Sequence, residues 1–179
     1  YIDSSDYSAD TRGDYKGSLK TRLESMTNGI SKLLFCNGSV PDEELFDSRV
    51  IADLSRVGSA ENKALIMGIL VIKLQEHRMC QRTISNEALK HITVLEEAHN
   101  LLRNGQTTFG EMNGGIASKS VEMISNAIAE MRTYGEGFVI VDQSPGLLDM
   151  AAIRNTNTKI IMRLPDESDR QLVGKAACL

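Results

Sequence analysis

The sequence predicts an α/β fold, a mainly parallel sheet with helices on both faces, and three observations lead there. Segments 50–54, 91–96, 138–142 and 159–164 are rich in Val and Ile and almost continuously apolar, as strands covered on both faces must be. Helical patterns separate them, so strand follows helix follows strand, the order of right-handed crossovers in an open sheet. With 179 residues, 41% of them apolar, the chain can bury one real core.

Each element has its own reason. Residues 1–45 form a lead-in that is expected to be poorly ordered or briefly helical, because the first thirty are dominated by Ser, Asp, Gly and Thr and only 19–26 reads as a helix. From 46 to 179 the alternation sets in. Helix 60–77 carries the run Leu65-Ile66-Met67-Gly68-Ile69-Leu70-Val71-Ile72, dense enough to predict burial almost all round. In 117–131, Ala117, Val121, Ile124, Ile128 and Met131 fall at alternating steps of four and three and draw one apolar stripe. Lys119, Glu122, Asn126 and Glu130 lie opposite it. Between strand 91–96 and this helix, residues 103–115 hold four glycines and little apolar content, which predicts a long loop. It reads either as a mobile insertion or as a loop facing a central pore. There is no internal repeat and no heptad array.

Composition excludes several classes. A formal charge of -4 gives no global positive field, so nucleic-acid contact would need a local basic patch. Cys36, Cys80 and Cys178 are odd in number and far apart, which predicts reduced thiols and neither a disulfide framework nor a metal knuckle. The longest apolar stretch, 64–72, is far short of the roughly 20 residues that span a bilayer. No signal peptide is recognised, and the expected location is cytoplasmic. The sequence opens on Tyr1, and a fragment of a longer protein is expected.

The chemistry concentrates at the predicted carboxyl ends of the strands, where ligands of parallel sheets collect. Strand 91–96 ends in the neighbouring acids Glu96 and Glu97, and Asp53, Ser55, Asp142 and Gln143 are placed at the same rim. Adjacent strand residues point to opposite faces, so the two glutamates are not a proton-sharing dyad. They suit separate tasks: Glu96 holding a hydrated Mg²⁺ through water, and Glu97 orienting and deprotonating the water that attacks a γ-phosphate. The pair equally suits the acid-rich first turn of a following helix. Gln143, at the tip of the next strand and exposed by the break at Ser144-Pro145, suits an amide that senses the γ-phosphate or lytic water, or simply a turn that ends the strand. His99 reads as a hydrogen-bonded structural group, since its spacing from the acids does not make the His-Glu-x-x-His zinc arrangement. His77 and His91 are equally ordinary. No glycine-rich Lys-Ser/Thr phosphate loop occurs: Gly174-Lys175 is followed by Ala176 and has Asp169 where the first glycine belongs. This chain alone therefore lacks the cradle that tight ATP binding requires.

Four strings, Val50-Ile51-Ala52-Asp53-Leu54-Ser55, Val94-Leu95-Glu96-Glu97-Ala98-His99, Glu130 to Gly135 leading into Val141-Asp142-Gln143-Ser144-Pro145, and Asn155 to Ile160, resemble in order and spacing the HerA/FtsK group of P-loop ATPases. The likeness runs from about Phe46 onward and is greatest to the HerA-like branch, which includes the ATPases of conjugative DNA transfer. It implies that 46–179 is the C-terminal part of a RecA-like ATPase domain, with ATP and Mg²⁺ as cofactors and the phosphate loop upstream in the parent. By the same likeness Glu96 matches the Walker B acid, Glu97 the catalytic glutamate and Gln143 the polar sensor. A homo-oligomer, a hexameric ring, would move DNA or, in secretion relatives, a protein, often beside a nuclease or a secretion channel. An arginine from the next subunit would act on the transition-state charge, with Arg163 and Arg170 as first candidates and Arg132 and Arg154 behind them. The first acid is Glu96 where many relatives carry aspartate. A Glu-Ala-His helicase would need a Gln-Arg-x-Gly-Arg motif downstream, and none is present. A non-catalytic oligomerisation or regulatory module on the same scaffold is the alternative that the missing loop favours.

Overall fold

A computed structural model gives the fold, and describes residues 8–28, 32, 38, 40–81, 86–103 and 114–177. Cys36, Cys178 and most of the glycine-rich loop lie outside those residues, while Cys80 is a free, exposed thiol.

Helix α1 (Ala9–Thr27) starts at Ser8, whose hydroxyl accepts from the Thr11 amide at 3.3 Å, an N-cap that satisfies one of the open first-turn donors. It is longer than the short 19–26 helix the sequence predicts, and its Leu19 and Leu23 stay exposed. Helix α2 (Asp42–Phe46) follows Pro41 and gathers Asp42, Glu43 and Glu44 in its first turn, where the helix dipole favours acids. Lys73 donates to Asp42 at 2.7 Å and so ties α2 to α3 (Ala60–Gln81). Helix α3 buries one face, Met67, Gly68, Val71, Leu74, His77 and Arg78. The expectation of burial all round is corrected, because Leu65, Ile69 and Ile72 point away from the core and remain over a third exposed.

Strands β1 (His91–Glu96) and β2 (Glu136–Val141) pair in parallel, His91 opposite Glu136 and Glu96 opposite Val141. Helix α4 (Gly114–Met131) makes the crossover between them, and Val121, Ile124, Ile128 and Met131 of its predicted stripe are buried while the opposite polar residues are exposed. Gly135 turns the chain from α4 into β2 with φ +84°, and a Cβ there would stand 2.5 Å from the Ala88 carbonyl oxygen. Only glycine meets both demands.

Two expected strands are absent. Residues 50–54 and 159–164 run outside any ladder, and Ile51 and Ile160 are 94% and 90% exposed. Their Val and Ile content suits a strand, but a strand exists only through a hydrogen-bonded neighbour, and neither segment finds one here. The sheet among the described residues is therefore the β1–β2 pair. Helices on both faces are corrected as well. Leu95, Phe138 and Ile140 pack into a core with α3, α4, Leu101, Leu102, Leu148 and α5 (Met150–Asn155), whereas Ile92, Val94, Val139 and Val141 on the other face are exposed. No described helix is long and apolar enough to cross a membrane.

An ionic network closes the amino-terminal rim of the sheet. Glu136 accepts from Arg78 Nε at 2.8 Å, His91 Nδ1 at 2.8 Å and Thr93 Oγ1 at 2.7 Å. The Arg78 guanidinium also donates to Asp47 at 2.5 Å and to the Phe46 carbonyl at 2.6 Å, so it joins the start of β2 to the end of α2. Burial pushes the Asp47 carboxyl up, but hydrogen bonds from Arg78, Gln81 and His77 outweigh it and hold the pKa at about 2. A carboxyl lowered in the folded state stabilises above its unfolded pKa of about 3.9, and that contribution fades as pH falls toward the folded value. Asp47→Asn is accordingly expected to destabilise at pH 7 and to lose most of that effect by pH 2, measured by urea unfolding of both proteins across that range. A penalty constant with pH would remove Asp47 from the acid response.

Candidate functional site

Parallel pairing brings the carboxyl ends of β1 and β2 to one rim, so the residues just past Glu96 and Val141 are neighbours. One backbone bridge fixes that rim. Asp149 donates its amide to the Leu102 carbonyl at 2.7 Å, and Arg103 bridges Leu148, which locks the turn after β1 to the turn after β2. Leu102 beneath them is fully buried.

Glu96 is the last residue of β1 and lies on the uncovered face, exposed and without a hydrogen-bond partner among the described residues. Glu97 does not continue the strand's alternation. It takes the left-handed conformation, φ 49° and ψ 47°, and opens the 3-10 turn Ala98–Asn100. A side-chain-bearing residue there is strained by on the order of 1–3 kcal/mol and persists only where its surroundings hold it. Here Asn100 donates both its amide and its side-chain Nδ2 to the Glu97 carbonyl, each at 2.9 Å. The Glu97 carboxylate projects into solvent and accepts from Gln143 Nε2 at 2.7 Å. The two residues that the sequence assigns to water activation and sensing therefore touch.

Three neighbours carry no motif that marks them as site residues in the sequence. Asp142, between β2 and Gln143, has a side chain only 3% exposed, and its Oδ2 accepts from the His99 amide at 2.8 Å and from His99 Nδ1 at 2.9 Å. Its Oδ1 accepts from the Ser144 amide at 2.9 Å. His99 Nδ1 also stands 3.5 Å from Glu97 Oε2, and Asn100 completes the set. The available signal was position: Asp142 and His99 each follow a strand of the same rim within three residues.

The arginines stand apart from this group. Arg170, on α6 (Glu167–Ala176), donates to the Leu164 and Pro165 carbonyls at 2.9 Å each and pairs with Glu167. Arg163 is exposed and shares with Arg170 an open cleft of about 400 Å³, whose lining includes none of Glu96, Glu97 and Gln143. Helix α6 reaches the rim by another contact, since Asp169 accepts from the Gly146 amide at 2.9 Å in the turn just after Gln143. Arg132 and Arg154 are exposed.

Among the described residues no three or more His, Cys, Asp or Glu are grouped to hold a metal by themselves. An unpartnered Glu96 beside Glu97 fits a different donor set: Mg²⁺ keeps several waters and takes one or two carboxylates together with substrate phosphates.

No family model and no solved structure matches the chain. It is similar to the DNA double-strand break repair helicase HerA of Sulfurisphaera tokodaii, 24% identical over 165 residues, which cover 90% of this chain and 31% of that protein. The chain thus spans less than a third of that relative's length, and the likeness is a distant one.

Proposed function

We propose that this chain is the C-terminal part of a HerA/FtsK-like, RecA-type ATPase whose full-length form couples ATP hydrolysis to translocation of DNA. The observation that carries the reading is the contact of Glu97 with Gln143 at the carboxyl rim of two parallel strands. The distant likeness to a DNA repair helicase points the same way and favours DNA as the polymer.

In this reading Glu97 accepts the proton of the attacking water, and Gln143 fixes the carboxylate that does so while its amide lies within reach of the same water. Glu96 would hold a Mg²⁺ ion through water, and such an ion would supply charge neutralisation on the phosphates. Arg163 is the better placed of the two leading arginines to act on a neighbouring subunit. It has no hydrogen-bond partner among the described residues, whereas Arg170 is held by its own segment. The ring, a hexamer by resemblance, brings such an arginine across the subunit interface, and a nuclease or secretion channel is the partner class. The phosphate loop belongs to the parent outside these 179 residues.

The test is ATP turnover by the full-length protein with Mg²⁺, with and without double-stranded DNA. Hydrolysis is expected, raised by DNA, and the 179-residue chain by itself is expected to show negligible turnover. A full-length protein that forms rings and binds DNA but never hydrolyses ATP would instead establish the non-catalytic module that the absent loop favours. Protein-stimulated turnover without a DNA response would point to the secretion ATPases.

A further inference from the structure

We infer that Asp142, acting through His99, is the positioning residue for Glu97, an assignment that rests on the ATPase reading of Glu97. The strained turn needs a clamp, and Asn100 supplies only half of one, because it holds the Glu97 carbonyl but not the residues that follow. Asp142 supplies the rest. Its one oxygen takes both the backbone amide and the imidazole Nδ1 of His99, while the other takes the Ser144 amide. A single buried carboxylate thereby joins the turn that carries Glu97 to the strand end that carries Gln143.

The geometry brackets the catalytic carboxylate. Gln143 Nε2 lies 2.7 Å from Glu97 Oε1, and His99 Nδ1 lies 3.5 Å from Oε2. Because a carboxylate only accepts, its bond to Asp142 places the imidazole proton on Nδ1, and that N–H lies between Asp142 and Glu97. Asp142 fixes the ring as a carboxylate fixes a metal-bound or catalytic histidine elsewhere, by setting tautomer and orientation from behind. Both Asp142 oxygens face N–H donors, so asparagine cannot replace it: whichever way the amide turns, its NH₂ meets another donor.

The experiment compares Asp142→Asn, His99→Ala and Glu97→Gln in the full-length protein, singly and combined, by steady-state ATPase kinetics. Asp142→Asn and His99→Ala are each expected to lower kcat about tenfold or more, the scale of an outer-shell carboxylate–histidine loss, while KM for ATP changes less than about twofold. Added to Glu97→Gln, either is expected to cause little further loss, since both act through the group already removed. His99→Ala keeps the backbone amide bond to Asp142 and so decides the matter even where Asp142→Asn fails to fold. Wild-type kcat in His99→Ala, or losses that multiply in full with Glu97→Gln, overturns the positioning role while a Glu97→Gln defect keeps the ATPase reading. A Glu97→Gln protein at the wild-type rate ends the ATPase reading and this assignment together.

Discussion

Glu97→Gln in the full-length protein is expected to cut ATP turnover about 100- to 10,000-fold, the contribution of a positioned general base, with Mg-ATP affinity within about twofold. The substitution is nearly isosteric, so the bond from Gln143 Nε2 survives with the new amide oxygen in the place of Oε1. The turn also survives, because its left-handed residue is held through the Glu97 carbonyl and the Asp142 clamp, not through the carboxylate. Proton acceptance is lost, together with the 3.5 Å approach of His99 Nδ1 to Oε2, whose place the new NH₂ takes. Steady-state kinetics and a nucleotide-binding titration on the same preparation separate the two quantities. An unchanged rate removes Glu97 from the mechanism.

The second large effect is structural. Arg78→Ala is expected to destabilise the fold by about 3–5 kcal/mol, the cost of leaving a buried carboxylate without its ion partner. Glu136 has a fully buried side chain, and Arg78 is 5% exposed, so neither can turn to water when the other is removed. His91 and Thr93 would still donate to Glu136, but Asp47 and the Phe46 carbonyl would lose their guanidinium donor. Against a typical total of about 5–15 kcal/mol, this is a large share. Replacing both partners, as in Arg78→Met with Glu136→Gln, is expected to recover much of the loss, because no unpaired charge then remains fully buried, and Asp47, over a third exposed, keeps its contacts with His77 and Gln81. Denaturant midpoints of the single and double variants measure both values. A single variant with a wild-type midpoint would show that the pair is not the keystone of this rim.

How much could be read from the residues differs by element. The α4 stripe and strand β1 were legible because their own periodicity and composition carry the burial pattern. Segments 50–54 and 159–164 depart from their pattern for the complementary reason: Val and Ile state a preference for a ladder, and a ladder also needs a neighbour. Helix α3 was read as buried all round since eight consecutive apolar residues carry no directional signal. At the rim, the placement of Glu97 and Gln143 just past two strand ends is legible from the strand pattern. The sequence marks His99 as a hydrogen-bonded group but hides its partner, because Asp142 lies forty-three positions away along the chain.

The sequence by itself determined the α/β alternation, the missing phosphate cradle and the acid and amide placed past two strands, all properties of local pattern and short motifs. Tertiary structure alone decided that β1 and β2 are adjacent and in register, that one sheet face lies open, and that Glu97 sits in a strained turn clamped by Asp142. The physical reason is that pairing, burial and hydrogen bonding are relations between distant residues, and no single segment encodes them.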